Sequence, residues 1–64
     1  MNKGCWKILK DRTIRGYHLT MMTLNGSFFA IVVDGISSGT YWRREDASKR
    51  YNEIKSLLYK GVYE

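Results

Sequence analysis

Two dipeptides, Asn25-Gly26 and Asp34-Gly35, constrain this chain more than any other feature. A two-residue type I′ hairpin turn needs positive φ at both central positions, and Asn-Gly and Asp-Gly supply it. The first dipeptide separates Tyr17-His-Leu-Thr-Met-Met-Thr-Leu24 from Ser27-Phe-Phe-Ala-Ile-Val-Val33, and the second is followed by Ile36-Ser-Ser-Gly-Thr-Tyr-Trp42. Residues 17–42 are therefore expected to form an antiparallel meander of three strands.

From Arg44 onward the apolar period changes. Ala47, Tyr51, Ile54, Leu57 and Leu58 recur at helical spacing, with polar residues between them. Glu45 and Asp46 fall in the first turn, where the helix dipole favours negative charge, and Lys60-Gly61 supplies a basic end and a left-handed stop. The pattern predicts an amphipathic helix over 44–59. Residues 1–16 read as a fourth strand on the sheet edge or as a basic arm that orders on binding; four apolar residues among the five from Cys5 to Leu9 favour the strand. The expected fold is α+β, a three-stranded meander, four-stranded if the N-terminal segment pairs, packed on one C-terminal helix.

A chain of 64 residues makes one domain with a thin core, burying only about 60% of the surface its unfolded form exposes. It has one cysteine, Cys5, and one histidine, so neither an internal disulfide nor a metal-ligand cluster is expected. Cys5 reads as a small buried hydrophobe. Residues 1–30 hold no apolar stretch behind a basic start, so neither a signal peptide nor a membrane span is expected, and the setting is taken as reducing and cytoplasmic.

If both turns hold two residues, the register follows. Met22 then faces Phe29 and Thr40, and Met21 faces Ala30 and Gly39. One side of the sheet carries Tyr17, Leu19, Met21, Phe28, Ala30, Val32 and Tyr41. The other carries His18, Thr20, Met22, Leu24, Phe29, Ile31, Val33, Ile36, Ser38, Thr40 and Trp42. A single helix covers one side of a sheet. Small Ala30 and Gly39 would let it approach the first side, leaving an apolar interaction face of His18, Met22, Phe29, Ile31 and Trp42.

The formal net charge is +5, and it lies at the two ends. Residues 1–15 carry Lys3, Lys7, Lys10, Arg12 and Arg15 against Asp11, whereas 16–42 carry only Asp34; Arg43, Arg44 and Lys49 then mark the helix start. Such a field attracts nucleic acid or an acidic protein surface. No nucleophile–base pair, zinc spacing or phosphate-binding glycine loop is present, so neither catalysis, a cofactor nor a small-molecule substrate is expected.

The junction Tyr41-Trp-Arg-Arg-Glu-Asp-Ala-Ser-Lys-Arg-Tyr51, placed after a three-stranded meander, resembles the end of the arm-binding domain at the amino terminus of phage integrases. Tyr41 and Ala47 match the aromatic that closes the third strand and the alanine that packs on the sheet. The resemblance implies a sheet that enters the major groove of DNA, supported by the helix. Between residues 16 and 42, however, there is no lysine or arginine to read base edges, so no base-reading residue is carried over.

Two functions follow as expectations. The first is a nucleic-acid-binding accessory protein gripping phosphates with Lys3, Lys7, Lys10, Arg12, Arg15, Arg43, Arg44 and Lys49, with Phe29 or Trp42 against bases. The second is a protein-binding regulator, inhibitor or adaptor of the kind phages encode, using the uncharged sheet face. A homodimer through that face is compatible with either.

Overall fold

A computed structural model describes residues 6–63. The element order is β1 (Trp6–Ile14), β2 (Tyr17–Leu24), β3 (Phe28–Val33), β4 (Ile36–Tyr41) and α1 (Arg44–Lys60), and the sheet is antiparallel in the order β1-β2-β3-β4. The fold is α+β, with the N-terminal segment paired as the fourth strand. Lys3 and Cys5 lie outside the described residues.

Positive φ marks both turns expected from the sequence and a third, at Arg15-Gly16, that the dipeptides did not announce. Arg15 and Gly16, Asn25 and Gly26, and Asp34 and Gly35 all adopt positive φ. The Asp34 carboxylate accepts a hydrogen bond from the His18 backbone N–H at 2.8 Å, while the Asp34 N–H donates to the His18 carbonyl at 2.9 Å, closing the β2–β3 ladder at that end.

The middle turn changes the register. Ser27 joins Asn25 and Gly26 in a three-residue loop, its N–H donating to the Leu24 carbonyl at 3.3 Å, and the ladder starts at Leu24↔Phe28. Met22 thus faces Ala30, and Met21 faces Ile31. A slip of one residue turns a whole strand over. Phe29, Ile31 and Val33 point to the helix, and Phe28, Ala30 and Val32 away from it, the reverse of the sequence expectation. Core volume favours this outcome. The helix covers Ile31 where the other register offers Ala30, a gain of about 2 kcal/mol for the added carbons.

Two bulges then redirect the outer strands. In β4 the pairing moves from Val32↔Ser37 to Ile31↔Gly39, which returns Gly39 and Tyr41 to the helix side. Gly39 has φ 147°, and a Cβ there would meet the Tyr41 hydroxyl at 2.6 Å. In β1 the pairing moves from Ile8↔Met22 to Lys10↔Met21, skipping Leu9. Trp6 and Ile8 therefore share the outer face with Leu24 and Met22, whereas Lys10, Arg12 and Ile14 lie on the helix side.

The helix begins after an extended Arg43 and ends in a left-handed Gly61, whose N–H donates to the Leu58 carbonyl while Val62 N–H reaches Leu57. Ala47, Tyr51, Ile54 and Leu58 form its buried face against Ile14, Leu19, Met21, Phe29, Ile31 and Val33. Leu57 is only half-buried. Tyr63 turns back after the helix to pack edge-on against Tyr17, with ring centroids 5.9 Å apart.

The register predicts a contrast between neighbours. In urea denaturation, Ile31→Ala should cost about 2–4 kcal/mol by leaving a cavity, and half-buried Val32→Ala about 1 kcal/mol or less. Equal costs, or the reverse order, would contradict the assignment of β3.

Candidate nucleic-acid interface

The helix runs alongside β1 in the same direction. Arg44 and Lys7 line one cleft, the Lys10 ammonium lies 5.2 Å from the Tyr51 ring centroid, and Arg12 reaches Tyr59. Two concavities follow this flank. The first, about 740 Å³, is lined by Trp6, Lys7, Leu9, Thr23, Asn25, Gly26, Phe29 and Arg44. The second, about 320 Å³, is lined by Lys10, Asp11, Arg12, Tyr51 and Lys55.

Helical periodicity places Arg44, Tyr51 and Lys55 toward β1. The acids lie elsewhere on the helix: Asp46 and Glu53 line a shallow depression on the β4 side with Tyr41, Lys49 and Arg50, and Arg50 bonds Glu53 at 3.3 Å. Arg43 sits 3.5 Å from Asp46 and 3.7 Å from Glu45. Asp11, which also borders the second concavity, is hydrogen-bonded to His18 Nε2. The flank is consequently a strip of positive charge with its nearest carboxylate already engaged.

The sequence-predicted cations thus divide. Lys7, Lys10, Arg12 and Arg44 meet along the β1–α1 flank, with Arg15 at its far end. Arg43 and Lys49 stand beside helix acids and do not join it. Lys55 does join it, and the signal was in its position four residues after Tyr51, on the β1-facing stripe.

Two of these arginines also hold the fold. Arg12 Nη1 donates to the Tyr59 hydroxyl at 3.0 Å, and Arg15 Nε donates to the Tyr59 carbonyl at 3.1 Å. Placing guanidinium groups at the last turn suits the negative end of the helix dipole.

The predicted interaction face is corrected at β3. Phe29 and Ile31 are 5% and 0% exposed, locked in the core by the register of the Asn25–Ser27 loop, and so cannot serve as surface contacts. His18, Met22 and Trp42 do lie on the side away from the helix, as expected. Phe28 replaces Phe29 there, packed between Trp42, at 4.5 Å between ring centroids, and Trp6, at 6.2 Å. A one-residue slip at the loop hid this row.

Among the described residues there is no group of three or more His, Cys, Asp or Glu placed to hold a metal ion, and no helix is long and apolar enough to cross a membrane. Comparison with protein-family models, curated proteins and solved structures gives no match.

Burial pushes the Tyr51 phenol above its ordinary value of 10.0; Arg12 opposes the rise, and Asp11 and Tyr59 add to it. The unfolded chain therefore releases this proton first. The stabilising contribution is full below pH 10 and is lost as pH rises through the folded-state value. In thermal melts between about pH 9 and 11, the wild type should lose stability more steeply than Tyr51→Phe. Parallel curves would contradict the burial of this hydroxyl.

Proposed function

We propose that this chain is a non-enzymatic nucleic-acid-binding protein that grips the phosphate backbone along the flank between β1 and α1. The observation that carries the reading is the segregation of charge on the helix: Arg44 and Lys55 line the β1 side beside Lys7, Lys10 and Arg12, while Asp46 and Glu53 line the β4 side. Lysine and arginine grouped with one carboxylate, Asp11, among them suit a polyanion, whose binding releases condensed counterions. Trp6, 45% exposed at the mouth of the larger concavity, offers a ring on which a base can stack. The proposal sets the protein in the cytoplasm, where it meets such a partner.

This reading keeps from the integrase resemblance only its architecture. Groove entry by the sheet would need cations on the outer face, and the described outer-face strand residues include no lysine or arginine. Phosphate contact along an edge of the sheet and its helix replaces it.

Fluorescence anisotropy with labelled single-stranded and duplex oligonucleotides tests the proposal. Four phosphate contacts would give a log–log salt slope near −3.6, so affinity should fall about 100-fold between 50 and 200 mM salt. Lys7→Ala combined with Arg44→Ala should weaken binding about 10-fold or more and reduce the slope by about two, while Arg43→Ala and Lys49→Ala should change affinity less than about 2-fold. Lack of binding to either oligonucleotide at 50 mM salt, or equal sensitivity to both sets, would overturn the reading.

A further inference from the structure

The larger of the two concavities on the basic flank differs in chemistry from the smaller. Leu9, the residue skipped by the β1 bulge, lines it together with Phe29 and the exposed Trp6. Thr23 borders it as well, but its hydroxyl already donates to the Phe28 carbonyl at 3.0 Å. Lys7 and Arg44 supply the charge, and its described lining residues include no carboxylate. The smaller concavity is instead a cluster of charged side chains around Tyr51. A phosphate group needs neither a hydrocarbon lining nor a space of about 740 Å³, which falls in the range of pockets that take a whole small organic ligand.

We propose that this cleft takes an unpaired nucleobase, so that the nucleic acid held along the flank is single-stranded; this rests on the reading of that flank as a phosphate-binding surface. The occupant must join an apolar part to an anionic part, because the cleft combines aromatic and aliphatic carbon with two cations. Those cations do not stand alone. The flank continues through Lys10, Arg12 and Lys55, which suits a chain of negative charges better than a single anionic group. A strand with one base turned out of its stack meets both requirements, with the base against Trp6 and its neighbouring phosphates on Lys7 and Arg44. Asn25, exposed at the same cleft, carries an amide donor and acceptor that a base edge can use. A duplex fits less well, since its bases are paired and stacked and one must be extruded before it can enter. Charge alone predicts the opposite preference. Binding releases more counterion per phosphate from a duplex than from a single strand, so strand selectivity separates the contribution of the cleft from that of the cations.

Competition between three probes tests this with the full chain at low salt: an oligodeoxythymidine strand, an abasic strand of the same length, and the duplex of the first with its complement. The thymidine strand should bind about 10-fold or more tightly than either of the others, the gain expected from one stacked base. Trp6→Ala should remove that advantage while leaving affinity for the abasic strand and the salt slope unchanged, and Trp6→Phe should keep most of it. The comparison of strands needs no variant, so it stands whatever Trp6→Ala does to folding. An abasic strand or a duplex bound as tightly as the thymidine strand would overturn the cleft proposal and leave the phosphate-binding flank standing, as would thymidine binding indifferent to Trp6→Ala. Absence of binding to all three probes would overturn both.

Discussion

The pairing of Leu24 with Phe28 decides which side chains the helix covers, and the surface chemistry of the domain depends on that choice. Because side chains alternate along a strand, a loop of three residues in place of two turns β3 over. Phe29, Ile31 and Val33 then meet Tyr51, Ile54 and Leu58 in a shared core, and Phe28 is left outside between two tryptophans. Among the described residues there is one helix, and no second layer covers that outer side.

Bulges complete the sorting of charge from apolar surface. Had β1 continued in regular register past Ile8, Lys10 and Arg12 would have shared the face of Trp6 and Ile8. The extra residue at Leu9 carries them to the helix side, where Lys10 lies over Tyr51 and Arg12 reaches Tyr59. The bulge before Gly39 does the equivalent for β4, keeping Tyr41 inward and Trp42 outward although β3 has reversed. Basic flank and apolar face are thus separated by backbone irregularities of one residue each. Arg12 and Arg15 serve both stability and charge, since they tie the last helical turn to the β1–β2 hairpin.

Much of the fold was legible in residues with strong local preferences. Asn25-Gly26, Asp34-Gly35 and the Lys60-Gly61 helix stop act through backbone conformations that few other residues accept, and Ala47, Tyr51, Ile54 and Leu58 repeat at a period only a helix uses. What escaped depends on tertiary competition. Nothing local to Asn25-Gly26 says whether Ser27 belongs to the turn or the strand, because the answer comes from setting Ile31, rather than Ala30, under the helix. Bulges at Leu9 and before Gly39 leave equally faint traces. The candidate site follows suit: His18, Met22 and Trp42 lie on the outer face with Phe28 in place of Phe29 and Ile31, and Lys55 adds a cation to the flank that the apolar period alone does not single out.

The proposed phosphate contact lies on the β1–α1 flank and the apolar surface on the outer face of the sheet, with Trp6 bordering both. Backbone amide chemical-shift mapping during an oligonucleotide titration tests that division most directly. Lys7, Lys10, Arg44 and Lys55 should shift in proportion to occupancy while Thr20, Val32 and Thr40, in the centre of the outer face, stay in place. Shifts centred on Thr20, Val32 and Thr40, with the β1–α1 flank silent, would contradict it.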